Sequence, residues 1–381
     1  MNIFVSYASD CLTDYLPHGE GLLSYSWLET LADRGHKIFA YSPQGDVKNL
    51  HPNIELFKSK KHFFLPSFSY VYHAYKAQKI LRSLHEKNAI DIVWRMYPYH
   101  FCSPGFNTMG IKYVIGPLYS SFDLASLNYI PMLKIRPSSW AKHYGGRSWK
   151  KFLSNASGLL TDDLKLQNAL AERYGNAHIM QLPAIVESPF SCELRNEPEW
   201  EHGLTIAFVG HFHPSKRLLD FCRIVSLLIK EGIKVKGIVV GTGEDFVPAS
   251  KYVQDNSLEE NIEFRGALPN SEVFKVLHRS HFLINLREET YGRNMVEAMS
   301  VGTPNICVNK LAAREFVGKD NGWLMDNVSP EAYVEQIVYI INNRGRWKQA
   351  SDSCFHNSKN FSREVVGERL EAFFNTILKS K

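Results

Sequence analysis

No apolar run in this sequence approaches the ~18 residues that a membrane-crossing helix requires, so no spanning segment is expected. Cysteine is sparse and scattered: Cys11, Cys102, Cys192, Cys222, Cys307 and Cys354 form no C-x-x-C pair. That spacing argues against a zinc site and a disulfide framework, and the six read as reduced thiols. There is no D-x-D triplet, and the pair Asp162-Asp163 reads as the N-cap of a following helix rather than as metal ligands. Neither a metal nor a cofactor is expected. The opening residues, Met1 to Ala8, lack a basic leader followed by a long apolar core. They read as a first strand and not as a signal peptide, and a cytoplasmic protein is expected. Net charge is only +5 and no nucleic-acid-binding module is recognisable, which makes nucleic acid a poor partner.

What is present is a globular composition. Hydrophobic residues make up 44% and charged residues 22% of 381, enough to bury two cores and too apolar for disorder. The modest charge is unevenly spread: from His51 to Lys151, fifteen Lys and Arg stand against four Asp and Glu. Within that stretch, residues 58–87 interleave basic side chains with Phe63, Phe64, Phe68, Tyr70, Tyr72 and Tyr75, and the spacing turns helical after Ser69. Two readings compete. Such a segment can lie on an anionic membrane surface or capture a phosphate-bearing acceptor, or it can be a surface helix that packs its aromatics inward and solvates its lysines.

Apolar strands alternate with amphipathic helices along both halves, and glycine turns follow the strands, the pattern of doubly wound α/β domains. In the first half, Asn2 to Tyr7 reads as a strand, a loop ends at Gly19-Glu20-Gly21, and Leu23, Trp27, Leu28 and Leu31 stripe a helix from about Leu22 to Arg34. Glycines between a strand and a helix let backbone N–H groups approach an anion, although a plain turn explains so short a signal equally well. Ile90 to Arg95 is another buried-looking strand, and the loop after it carries His100. Open parallel sheets bind ligands at such strand ends, so His100 is a candidate on the acceptor side, with a structural loop histidine as the alternative. Residues 182–203 hold Pro183, Pro189 and Pro198 among five glutamates and read as a linker between a domain at 1–190 and one at 204–360.

The second half opens with a hydrophobic strand from Leu204, a turn at Gly210 and an amphipathic helix after Lys216-Arg217. A helix N-terminus supplies oriented N–H groups and Lys216 a mobile cation, together a possible phosphate site. Gly241-Thr-Gly243 and Gly266 end the next two strands; a lone G-x-G is weak evidence.

The most informative stretch runs from Asn285 to Pro304. Gly292 ends an irregular lead-in, Met295, Val296, Ala298 and Met299 give a short apolar helix, and Gly302 with Pro304 stops it. Glu297 sits inside that helix among apolar neighbours, where an ionised carboxylate is costly unless something donates hydrogen bonds to it; a diol would serve. Glu289 precedes the helix, close to N–H groups and a dipole end that favour an anion. The plain alternative is a dipole-stabilising Glu289 and a Glu297 turned to solvent.

The order E-T-Y-G-R-N-M-V-E-A-M-S-V-G-T-P, Glu289 to Pro304, resembles the E-x-F-G-x-x-x-x-E-A-M-A-x-G-x-P signature of family 4 glycosyltransferases. These are retaining, metal-independent enzymes of GT-B fold that use nucleotide-sugar donors. The resemblance implies two Rossmann-like domains facing an interdomain cleft, an acceptor side in 1–190, the donor, a UDP- or GDP-sugar, on 204–360, and a last helix within 361–381 crossing back to the first domain. It implies that Glu289 contacts the donor sugar near the reacting carbon and Glu297 binds the ribose diol. Tyr291 stands for the family aromatic beside Gly292, and the amides at Arg293 and Asn294 would approach the pyrophosphate. Gly210 and Lys216 match the family's G-R-x-x-x-x-K-G turn, with His211 where Arg is usual and Arg217 where Gly is usual. Lys216, His211 and Arg217 would then neutralise the leaving group. Gly241, Gly243 and Gly266 match the turns that hold the nucleotide, with the backbone near Leu268 meeting the base, and Gly19 and Gly21 match the site-facing glycines of the first loop. Asn285-Leu286 replaces the family's usual Pro-Ser. The likeness covers nearly all of Leu204 to Phe374 and the first half only in plan.

Three function classes follow. The leading one is a retaining glycosyltransferase, hexosyltransferase in type, that moves a sugar to a hydroxyl of a cell-surface polysaccharide, lipid-linked or small-molecule acceptor. A nucleotide-sugar epimerase of the same fold would turn over donor without acceptor. A catalytically silent sugar-nucleotide-binding protein would bind donor and release no nucleotide.

Overall fold

The computed structural model describes the chain except residues 17, 60–65, 97–105, 119–150, 163, 176–177, 190–192, 288–291, 311–312, 344 and 381, and the side chains of 66–71. The chain divides into two compact units, Met1–Ile185 with Arg363–Lys381, and Val186–Ser362. Among the described residues no helix is long and apolar enough to cross a membrane.

Among the described residues the first unit holds nine strands: β1 (Asn2–Val5), β2 (Cys11–Thr13), β3 (Lys37–Ser42), β4 (Gln44–Asp46), β5 (Ile54–Lys58), β6 (Ile92–Arg95), β7 (Tyr113–Leu118), β8 (Gly158–Thr161) and β9 (His178–Gln181). Seven form one parallel sheet in the order β5-β3-β1-β6-β7-β8-β9, and β2 and β4 make a separate parallel pair. The central strands are apolar on both faces, as sheets covered by helices require. Helices α1 (Gly19–Asp33), α2 (Pro66–His85) and α3 (Leu164–Arg173) lie in this unit.

Helix α1 begins three residues earlier than its apolar stripe predicts. The reason is a cap: His18 Nδ1 accepts a hydrogen bond from the Gly21 amide at 2.9 Å. Gly19 and Gly21 therefore sit inside the first turn rather than in a loop before it. The C-terminal helix Arg363–Lys379 completes the first unit against α1, where Arg34 meets Glu371 at 2.6 Å and Arg363 meets Glu29 at 2.5 Å. Phe374 packs edge-on against Trp94 of β6 with ring centres 5.5 Å apart.

The second unit contains β10 (Leu204–Val209), β11 (Val235–Val240), β12 (Ile262–Gly266), β13 (Phe282–Asn285), β14 (Asn305–Val308) and β15 (Gly322–Met325). They form a parallel sheet in the order β12-β11-β10-β13-β14-β15. Its helices are α4 (Leu218–Lys230), α5 (Phe246–Asp255), α6 (Asn270–Arg279), α7 (Arg293–Ser300), α8 (Ala313–Phe316), α9 (Pro330–Asn342) and α10 (Arg346–Ser358). In α4 the buried side chains Leu218, Phe221, Cys222, Val225 and Leu228 recur at helical spacing and enter the unit's core. Each large one contributes roughly 1.5–3 kcal/mol of burial.

The proline- and glutamate-rich stretch at 182–203 has fixed partners on both sides. Leu182, Ala184, Ile185 and Val186 are buried, and Trp27 Nε1 donates to the Pro183 carbonyl at 2.9 Å. Further on, Arg195 Nη1 donates to Ser280 O at 2.8 Å and Thr303 Oγ1 at 2.9 Å, and its guanidinium lies 4.8 Å over the Trp347 ring. Composition alone cannot show these partners, because each lies many residues away in the chain.

Candidate functional site

The strand order of the second unit fixes where a ligand can sit. From β10 the chain proceeds outward through β11 and β12, then returns to β13 on the other side of β10. Ligands bind doubly wound sheets beyond the carboxyl ends of the strands at that reversal. The ends in question are Val209-Gly210 of β10 and Asn285 of β13. Helix α7 starts over them. Its second residue, Asn294, donates from Nδ2 to Val209 O at 2.9 Å and to Asn285 Oδ1 at 3.0 Å, and Tyr333 donates to the Asn285 carbonyl at 2.9 Å. The turn into α7 is made by Gly292, in the left-handed region at φ 56°, where a Cβ would lie 2.9 Å from Phe316 and 3.0 Å from the Met295 sulfur.

Glu297 is 4% exposed. Its Oε1 accepts from Arg293 Nε and from Asn270 Nδ2, both at 2.9 Å, so the solvent-facing reading of this residue does not hold. A buried carboxylate with an ion-pair partner and an amide donor is satisfied without water, and its orientation is fixed. Asn270, the first residue of α6, was not singled out in the sequence. Its only signal there is a Pro-Asn pair at a helix start, which says nothing of a partner 27 residues on.

The turn after β10 carries the candidate cations. His211 is exposed, and Phe212 beside it is buried. His213 caps the short 3-10 turn Pro214–Lys216, accepting from the Ser215 amide at 3.2 Å. Lys216 is half-buried at the end of that turn. Arg217 then adopts the left-handed conformation, φ 61°, and its Nε donates to Asp220 at 2.7 Å, while Arg223 donates to the other oxygen of Asp220 at 2.9 Å. The Arg217 charge is thus engaged within its own helix start. Relief of the left-handed strain, about 1 kcal/mol, offsets the loss of a partly exposed ion pair, about 0–1 kcal/mol. Arg217→Gly is therefore expected to leave the melting temperature nearly unchanged and donor turnover within about threefold, as read by a thermal melt and steady-state kinetics.

The glycine turns divide by geometry. Gly210 N donates to Val240 O at 3.0 Å, Phe212 N to Thr242 O at 2.8 Å, and Gly241 N to Gly266 O at 2.8 Å, so the ends of β10, β11 and β12 are stitched to one another. A Cβ on Gly241 would overlap the Gly210 carbonyl oxygen, and one on Gly243 the Phe212 carbonyl oxygen. At Gly210 and Gly266 nothing lies within 4 Å of where a Cβ would be, which leaves both backbones open to a ligand. Leu268, two residues beyond Gly266, is half-buried. Glu289, Tyr291 and His100 lie outside the described residues, as do Asp163 and part of the basic segment at 58–87.

Comparison with known proteins places the second unit's main segment. Residues 192–359 match the family model described as Glycosyl transferases group 1. This segment belongs to that family of glycosyltransferases. A poly(glycerol-phosphate) alpha-glucosyltransferase of Bacillus subtilis is 25% identical over 188 residues, which are 48% of this chain and 27% of the relative. The chain therefore spans little more than a quarter of that relative's length. Sucrose-phosphate synthase from Thermosynechococcus elongatus superimposes with a TM-score of 0.73 at 14% identity, covering 100% of this chain and 99% of the other. Anabaena Alr3699/HepE in complex with UDP gives 0.70 at 14% identity, covering 98% and 99%. The two parallel sheets are those of the GT-B fold.

In the first unit the glycine turn is tightly built: a Cβ on Gly21 would overlap the Cys11 carbonyl oxygen, whereas Gly19 has open space. Between them, Glu20 has its carboxyl pushed up to about 7, first by burial and then by neighbouring Asp10. An acid whose folded value is raised binds protons on folding. Its contribution to stability is complete below about 4.5 and is lost as pH rises through about 7. Denaturant unfolding at pH 5 and pH 8 should show the wild type losing on the order of 2 kcal/mol relative to Glu20→Gln. Taking the difference between the two proteins cancels His281, whose burial holds it down at about 4 and gives the opposite slope.

Proposed function

We propose that this glycosyltransferase moves a hexosyl group from a UDP-sugar, with retention of anomeric configuration, to a hydroxyl of a cell-surface polysaccharide or lipid-linked acceptor. The observation that carries this reading is Glu297, buried and held by Arg293 and Asn270 at the start of a helix that overhangs the strand reversal. A fixed carboxylate there suits a ribose diol, and the N-terminus of α7 suits the adjoining phosphates. Lys216 supplies the positive charge that a departing nucleoside diphosphate needs, His211 supplies a ring N–H to it, and Glu289 orients the sugar. The bond from the anomeric carbon to the phosphate oxygen breaks, the acceptor oxygen bonds the same face, and the acceptor proton passes to the departing phosphate. Two resemblances support the choice of substrates. The Bacillus relative is named for glucosyl transfer to a glycerol-phosphate polymer, and the Anabaena neighbour is a complex with UDP. The site of action is the cytoplasm, where buried thiols such as Cys222 and Cys354 stay reduced.

A thermal-shift panel of UDP, GDP, TDP and ADP, followed by turnover of the matching nucleotide sugars with and without glycan acceptors, tests the reading. UDP is expected to give the largest shift, and release of UDP to accelerate with acceptor. Interconversion of the donor sugar without acceptor would replace transfer by epimerisation, and binding without nucleotide release would make the protein a silent binder.

A further inference from the structure

Asn285 stands at the end of β13, at the strand reversal, where the family motif usually carries proline. The orientation of its amide is fixed by its neighbours. The Val209 carbonyl can only accept, so the atom of Asn294 that faces it at 2.9 Å is the nitrogen. The same nitrogen reaches Asn285 at 3.0 Å and must meet an acceptor, which makes the facing atom Oδ1. The remaining atom of Asn285, Nδ2, is buried and has no hydrogen-bond acceptor among the described residues, in a residue only 6% exposed. One residue before Asn294, Arg293 Nη1 is likewise buried without an acceptor. Buried donors left unsatisfied are rare in folded proteins, and two flanking one helix N-terminus mark a place that favours negative charge.

We propose that Asn285 is a positioning and selectivity residue of the donor subsite, resting on the UDP-sugar reading above. Its Oδ1 holds Asn294, and through it the N-terminus of α7, against the end of β10. Its uncharged NH2 keeps the floor of the subsite free of negative charge where the diphosphate must lie. This pair of amides belongs to this chain rather than to the shared motif, because it depends on asparagine at both 285 and 294.

The test compares wild type with Asn285→Asp and Asn285→Ala by thermal melting, by calorimetric titration with UDP and with UMP, and by steady-state kinetics. Aspartate still accepts from Asn294 but brings a charge. Its melting temperature should stay within a few degrees of wild type, its Kd for UDP should rise about tenfold or more, and that for UMP should rise less. KM for the donor should rise while kcat stays within about threefold. Alanine loses the acceptor without adding charge and should weaken UDP several-fold; it carries the test alone should the aspartate variant fail to fold. Wild-type affinity for UDP in the variants overturns the inference and leaves the proposed function standing. Failure of the wild type to bind either UDP or GDP removes both.

Discussion

Gly241→Ala should leave little folded second unit. The added Cβ would overlap the carbonyl oxygen of Gly210, and the obstacle is backbone, which has no rotamer by which to yield. The residue also has φ 138°, a conformation that side-chain-bearing residues rarely adopt. Relief would require parting the ends of β10 and β11, at the expense of the bonds from Gly210 to Val240 and from Gly241 to Gly266. A loss of more than about 4 kcal/mol is expected, in the range reserved for severe backbone strain. Gly266→Ala is the control: with φ 65° and open space around it, it should cost only about 1 kcal/mol. Soluble yield and a thermal melt by circular dichroism distinguish the two, and a Gly241→Ala protein melting within a few degrees of wild type would refute the close approach of Gly241 to the Gly210 carbonyl.

Lys216→Ala should reduce kcat by about 10²–10³ while weakening UDP binding by no more than about tenfold. A cation that meets charge as it develops on the departing diphosphate contributes more to the transition state than to the bound donor. Its neighbour provides the contrast. Arg217 is held by Asp220 in the first turn of α4, so removing it tests charge in the same turn without removing Lys216. Steady-state UDP release from the two variants separates the roles, and equal kcat in both would take Lys216 out of the reaction.

Much of the second unit was legible because its strands are short apolar runs ending at glycines, and because Glu289 to Pro304 is one contiguous motif. The parallel sheets follow from alternation of such runs with helices. Less of the site was legible. The glycines Gly241 and Gly243 match the family's ligand turns, and the structure adds a steric duty, a close approach of one strand end to the next, that no single segment can reveal. The donors to Glu297 and the amide pair of Asn285 and Asn294 depend on register between α6, α7 and β13, set by packing rather than by local spacing. In the first unit the β2 and β4 pair escaped notice because Cys11–Thr13 is too short to show a period and pairs with residues more than thirty positions away.

The first unit is assembled from two separated pieces of chain, with Val186–Ser362 inserted between them. During synthesis the helix that covers Trp94 and pairs with Arg34 emerges only after the entire inserted unit has been made. The inserted unit can therefore close on the ribosome as an uninterrupted segment, while the sheet of the first unit waits with an apolar face uncovered until that helix follows. Chaperone demand should accordingly fall on Met1–Ile185 rather than on the inserted unit.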